Sequence, residues 1–167
     1  MISLSTAKCA EDFEIAAEFG RAFGEWDAVE GLAYGLDPEE VRQLYHNDTS
    51  SSLARKFSAG NGVLYLARSD GALAGSLGFD TFDETTAELQ KFYVDPKFRG
   101  KGIGSALMRT ALAEIGKSGF KRVVLHTTVY MRNAISVYEA CGFIRCPPFR
   151  AVPDSVAHTE IFMAREM

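Results

Sequence analysis

The stretch of residues 89–108, LQKFYVDPKFRGKGIGSALM, constrains this chain more than any other. An apolar strand pattern passes through a charged turn into a glycine-rich loop and then an amphipathic helix. Gly100, Gly102 and Gly104 alternate with Lys101 and Ile103, so the backbone can approach an anion with no Cβ in the way and successive N–H groups can converge on it. A helix growing through residues 105–113 brings the positive end of its macrodipole to the same place. The segment therefore predicts a ligand that carries phosphate.

The spacing excludes two common phosphate motifs. A P-loop needs Gly-Lys-Ser/Thr, whereas Lys101 is followed by Gly102. A dinucleotide fingerprint beginning at Gly100 would need glycine where Ser105 stands, and one beginning at Gly102 would need it where Leu107 stands. With 167 residues, 47% of them hydrophobic, the chain has material for one core of ordinary size, and a single domain over residues 1–167 is expected. A formal charge of −4 argues against nucleic-acid binding, which needs a clustered basic surface. No run of about 18 apolar residues occurs, so a cytoplasmic protein without membrane contact is expected. Cys9, Cys141 and Cys146 stand in apolar surroundings without metal-ligand spacing and read as buried reduced thiols. His46, His126 and His158 form no ligand cluster, and no metal is expected.

Charge is unevenly spread. Residues 11–48 hold eleven acids against Arg21 and Arg42, a net of −9, which leaves +5 for the rest. Such a run usually forms a solvated helix face; it could also funnel a cationic substrate.

Periodicity predicts a first strand over residues 2–6 and a helix over 10–23. A second helix over 37–45 starts from Asp37 as N-cap with Pro38 behind it, and residues 47–52 read as loop. Strands over 63–68 and 72–81 flank a tight Ser69-Asp70-Gly71 hairpin, and a third covers 87–94. A helix over 103–115, a strand over 121–128, a short helix over 133–141 closed by Gly142, a strand from Phe143 and a last one over 159–164 complete the chain. Hairpins followed by a strand-loop-helix-strand unit give an α+β, or mixed α/β, class around one sheet.

Arg99-Gly-Lys-Gly102-Ile-Gly104 resembles the (Gln/Arg)-x-x-Gly-x-(Gly/Ala) motif of the GNAT superfamily of acyl-CoA-dependent N-acyltransferases. Asn133-Ala-Ile-Ser-Val-Tyr138-Glu-Ala-Cys-Gly142-Phe143 resembles that family's later helix, and the order of elements agrees over residues 63–143. The resemblance implies a mostly antiparallel sheet of about seven strands with a parallel central pair splayed apart, flanked by about four helices. It implies acetyl-CoA as co-substrate, its pyrophosphate on the backbone of Arg99, Gly100, Lys101, Gly102, Ile103, Gly104 and Ser105. Its pantetheine would lie along Phe92, Tyr93 and Val94 with Asn133 in contact; Asn133 also reads as a plain helix cap. Tyr138 is similar to the family's general acid, which protonates the departing thiolate. Glu88 resembles a position used as general base, with His126 and Glu84 as weaker candidates. Glu88, Gln90 and Phe92 share a strand face unless a bulge intervenes.

The family's acceptor sites imply residues 24–60 and 146–158 for the amine. Trp26, Tyr34, Tyr45 and Phe149 offer aromatic surface there, and Glu25, Asp27, Glu30 and Asp37 offer negative charge. A small, cationic amine is the expected acceptor. A protein or peptide N-acetyltransferase and an inactive acyl-CoA sensor are the alternatives, and family habit makes a homodimer possible.

Overall fold

The computed structural model describes residues 1–58, 60 and 62–167. Thirteen elements follow in chain order: β1 (Ile2–Thr6), α1 (Ala10–Gly31), α2 (Pro38–Tyr45), α3 (Ser50–Ser58), β2 (Gly62–Ser69), β3 (Ala72–Thr81), β4 (Thr86–Val94), α4 (Ile103–Lys117), β5 (Arg122–Thr128), α5 (Arg132–Ala140), β6 (Ile144–Arg145), α6 (Asp154–Ala157) and β7 (Glu160–Glu166). The strands form one sheet in the order β1-β2-β3-β4-β5-β7-β6. Only β4 and β5 run parallel; the other neighbours are antiparallel.

Alternation along the strands builds two cores. Tyr65, Leu77 and Leu89 face α4, where Leu107, Met108 and Ile115 are fully buried. Leu64 and Leu66, on either side of Tyr65 in β2, point the other way onto Phe13 and Ala17 of α1 and Leu53 and Phe57 of α3.

Two short helices, α3 and α6, add to the four expected, and α3 replaces part of the loop expected over residues 47–52. Its first turn is polar, but the hydroxyl of Ser52 and the backbone N–H of Thr49 are bonded at 2.8 Å, and Leu53 is buried beneath it. Helix α1 runs eight residues past its expected end, and within that extension Gly24 lets His46 close on it: a Cβ there would lie 2.9 Å from the His46 Cβ. The thiols also correct an expectation, since Cys9 is exposed and Cys141 and Cys146 are half-buried. Cys9 sits at the N-terminus of α1, where the Asp12 carboxylate accepts from its N–H at 3.3 Å, and that position faces water.

One irregularity positions the site. Ser76 of β3 stands opposite Tyr93, and Gly78 opposite Gln90, so Leu77 faces two residues of β4, Lys91 and Phe92. Lys91 takes the extra place with φ +58°, and its carbonyl accepts from the Ser76 hydroxyl at 2.9 Å. The bulge shifts the alternation by one. Phe92 and Val94 therefore pack on the α4 side with Leu89, while Glu88 and Gln90 stay on the other face; the shared face of Glu88, Gln90 and Phe92 is lost. Beyond the bulge β4 leaves β5: their pairing covers only Thr86–Glu88 against Arg122–Val124.

Candidate active site

The gap between β4 and β5 opens onto two adjoining spaces that share lining residues. The first, a groove of about 700 Å³, runs along Val94, the glycine loop and the start of α5. Gly100 and Gly102 adopt φ of +77° and +84°, a region that glycine enters without penalty, and Gly102 is the N-cap of α4. The first helical bond of α4 is Ala106 N–H to Gly102 C=O at 3.0 Å, so the N–H groups of Ile103, Gly104 and Ser105 have no intrahelical acceptor. These three amides at a helix N-terminus suit a phosphate. Gly104 also admits the Phe92 ring, whose Cζ would lie 3.2 Å from an added Cβ.

Strand β4 contributes the groove wall. Asp95 N–H bonds Ala74 C=O of β3 at 2.8 Å, so Asp95 and Tyr93 point their backbone groups at β3. By alternation the N–H groups of Phe92 and Val94 point into the gap. The Val94 carbonyl already accepts from Arg99 Nε at 3.0 Å. All the expected cofactor residues line this groove except two. Lys101 lies outside it, with Nζ 5.4 Å from the centre of the Phe98 ring, and Tyr138 belongs to the second space. Asn133 lines the groove from the exposed second position of α5; the cap of that helix is Met131, so Asn133 is no N-cap.

The second space, a cavity of about 360 Å³, shares Phe23, Phe92, Tyr93 and Met131 with the groove. Tyr138 borders it from α5, its ring 5.7 Å from Phe92 and 6.0 Å from Phe143. Burial pushes its phenol well above the ordinary value, so it is held protonated, and no described residue bonds its hydroxyl.

Glu88, 5% exposed, faces the same cavity. Both its oxygens accept from Arg150 Nη2, at 2.5 and 2.6 Å. His126 of β5 stacks on Phe162 at 4.2 Å, and its Nε2 meets the Glu160 carboxylate. The other Glu160 oxygen accepts from the Tyr45 hydroxyl. Asp27, 1% exposed, bonds His46 Nε2 at 2.6 Å and the Tyr130 hydroxyl. Burial first, and the adjoining carboxylates second, raise the phenols of Tyr45 and Tyr130, so both remain donors. These two networks fasten α1 and the end of α2 over the gap.

Other expected residues are placed elsewhere. Glu84 is exposed in the turn between β3 and β4, away from the cavity. Glu25 pairs with Arg42 at 2.9 Å on the surface, Glu30 is exposed, and Asp37 caps α2 through the Glu39 N–H at 2.9 Å. Of the four acids expected at the acceptor, only Asp27 lines the cavity. Tyr45 lines it too, whereas Trp26 and Tyr34 pack on Tyr130, 6.2 and 5.2 Å away. Phe149 packs between Phe82 and Phe162. Ala59, inside the expected acceptor segment, lies outside the described residues. The cavity residues that sequence reasoning missed are Lys56, Lys91, Arg150 and Glu160. Among the described residues no group of three or more His, Cys, Asp or Glu side chains could hold a metal ion, and no helix is long and apolar enough to cross a membrane.

Residues 26–143, which include the glycine loop, Glu88, His126 and Tyr138, match the sequence profile of the acetyltransferase (GNAT) family. The chain belongs to that family. It is 45% identical over 56 residues to the uncharacterized N-acetyltransferase YjgM of Escherichia coli, covering 34% of each protein. It is 31% identical over 121 residues to the N-acetylaspartate synthetase of Homo sapiens, covering 70% of this chain and 40% of that protein. The chain thus spans less than half the length of these relatives. Among solved GNAT folds, the PaiA N-acetyltransferase of Thermoplasma acidophilum, in complex with coenzyme A, aligns over 100% of this chain and 99% of that one, with TM-score 0.73 and 22% identity. An acetyltransferase of Staphylococcus aureus Mu50 aligns over 99% of both, with TM-score 0.72 and 16% identity.

One carboxyl beside the GNAT cavity bears on stability. Burial raises Asp80 to about 6, against the opposing pull of Lys56. Its native value exceeds the unfolded one, so the native state loses stability as pH rises from about 4 through about 6. Asp80→Asn keeps an acceptor for Gln90 Nε2, which sits at 2.6 Å. The variant is expected to melt about 2–4 °C higher at pH 8, about 1 kcal/mol after solvent screening, with the gain gone at pH 4. Thermal melts at both pH values measure it.

Proposed function

We propose that this chain transfers an acetyl group from acetyl-CoA to the amine of a small molecule. The observation that carries the reading is the junction of the two spaces. The groove, with three amides free of intrahelical bonds for a pyrophosphate, shares Phe92 and Met131 with the cavity, which Tyr138 lines with a hydroxyl that no described residue bonds. The pantetheine arm fits the open edge of β4, pairing with its free backbone groups as an added strand would, with Asn133 at its side.

The acceptor nitrogen attacks the thioester carbonyl, forming the C–N bond as the C–S bond breaks. A Phe92 or Val94 N–H in the gap polarises the carbonyl oxygen. Tyr138 gives its proton to the departing sulfur. We place the proton lost by nitrogen on His126 rather than on Glu88. Arg150 occupies both Glu88 oxygens, whereas among the described residues His126 Nδ1 has no partner and Glu160 steadies the ring through Nε2. Direct transfer needs both reactants held at once, which the adjoining spaces provide. No step calls for a metal.

The test is release of free thiol from acetyl-CoA by the purified chain against a panel of small amines, peptides and proteins. Turnover with small amines is expected. Turnover with peptides alone would make it a protein N-acetyltransferase. Binding of acetyl-CoA without any turnover would make it a sensor.

A further inference from the structure

The four carboxylates lining the cavity have no oxygen left without a donor. Asp27 accepts from His46 and Tyr130, and Glu160 from His126 and Tyr45. Asp48 accepts from the Ser52 hydroxyl at 2.8 Å and from Lys91, and Glu88 accepts from Arg150 on both oxygens. An acceptor whose only charges are ammonium groups would have to share oxygens that already have a donor, and would meet each carboxylate with its charge already partnered.

The donors are in the opposite condition. Arg150 uses Nη2 alone, and among the described residues Nε and Nη1 of its fork have no hydrogen-bond partner. Its guanidinium sits 5.1 Å from the centre of the Phe149 ring, and its side chain is 41% exposed at the cavity mouth. Among the described residues Lys56 Nζ makes one hydrogen bond, to the neutral Gln90 Oε1 at 2.9 Å. Gln90 Nε2 in turn lies 3.4 Å from Glu88 Oε2, so Lys56 and Arg150 flank one short stretch of β4 from two sides. Among the described residues, a guanidinium fork with three free N–H donors and an ammonium with two free protons match a carboxylate.

We propose that the acceptor is an amine bearing its own carboxylate, an amino-acid-like molecule whose carboxylate is held between Arg150 and Lys56; this rests on the acetyl-transfer reading above. The carboxylate at the mouth directs the amino group inward, toward His126 and the junction with the groove. The cavity thereby selects by the anion on the acceptor, in place of the cationic acceptor that the acidic run over residues 11–48 suggested.

The experiment measures thiol release from acetyl-CoA by the full chain with amino acids, each beside its amide, the amine lacking the carboxyl group and the aminophosphonate analogue. Carboxylates are expected to exceed their amides and plain amines by tenfold or more in kcat/KM. Lys56→Met and Arg150→Gln are expected to raise KM for the carboxylate acceptor at least fivefold and to leave KM for its amide and for acetyl-CoA unchanged. Equal or better use of amides and plain amines overturns the proposal. So does a preference for phosphonates, or discrimination that survives both substitutions. Absence of thiol release with every compound overturns this inference, and absence with the amines, peptides and proteins of the wider panel as well overturns the acetyl-transfer reading with it.

Discussion

Tyr138→Phe is expected to lower kcat by about 10²-fold at neutral pH, the lower part of the range for loss of a general acid. The effect sits at that end because a thiol with a pKa near ~8.5 already leaves fairly well as thiolate, and the phenol improves it by bonding sulfur as charge develops. KM for acetyl-CoA should change little, since the ring stays packed on Phe92 and Phe143 and the groove does not include the hydroxyl. Stability should also hold. No described residue bonds the hydroxyl, so its removal strands no buried partner, and the thermal midpoint is expected within about 2 °C of the parent. Steady-state kinetics with both substrates varied, beside a melting curve, separates the two roles. A variant with full kcat would show that Tyr138 is only a core aromatic, whatever its position at the junction.

The sequence made the groove along the glycine loop legible and the neighbouring cavity illegible, for a physical reason. The glycine loop is local: what suits it to a phosphate lies in backbone N–H groups and in positive φ at Gly100 and Gly102, which glycine spacing reveals directly. The hairpin at Asp70-Gly71 and the Asp37-Pro38 helix start are local in the same sense, and both stand where expected. The cavity is made of pairs far apart in the chain. Arg150 meets Glu88 across 62 residues, His126 meets Glu160 across 34, and Tyr130 meets Asp27 across 103. No periodicity encodes such meetings. The bulge is a case between the two, since its seat at Lys91 is a lysine with φ +58°, where no glycine signals a left-handed residue. Glu25 and Glu30 misled by composition: they belong to the outer face of α1, and the charge run they form is the solvated kind. Ser50 to Ser52 misled by polarity, because helix α3 is held by Leu53 and Phe57 behind a polar first turn.

The second large effect concerns the proton that the amine must lose. His126→Gln is expected to reduce kcat by about 10²–10³-fold and to abolish the acidic limb of the kcat–pH profile. The direction follows from the role: a base must be unprotonated to act, so the rate falls as pH falls through its titration, and a glutamine in its place has nothing to titrate. Using kcat rather than kcat/KM removes the ionisation of the free amine, which would otherwise add its own limb. Glu88→Gln is the necessary companion. It releases Arg150 from its carboxylate, so a higher KM for the acceptor is expected, but the acidic limb should persist because the base is still present. The two variants thus split in opposite columns, one in kcat with the limb lost and one in KM with the limb kept. The reverse pattern, with the limb lost in Glu88→Gln and kept in His126→Gln, would assign the base to Glu88 and leave His126 as the stacked, carboxylate-bonded partner of Phe162. A limb kept in both variants would move the proton to ordered water in the gap.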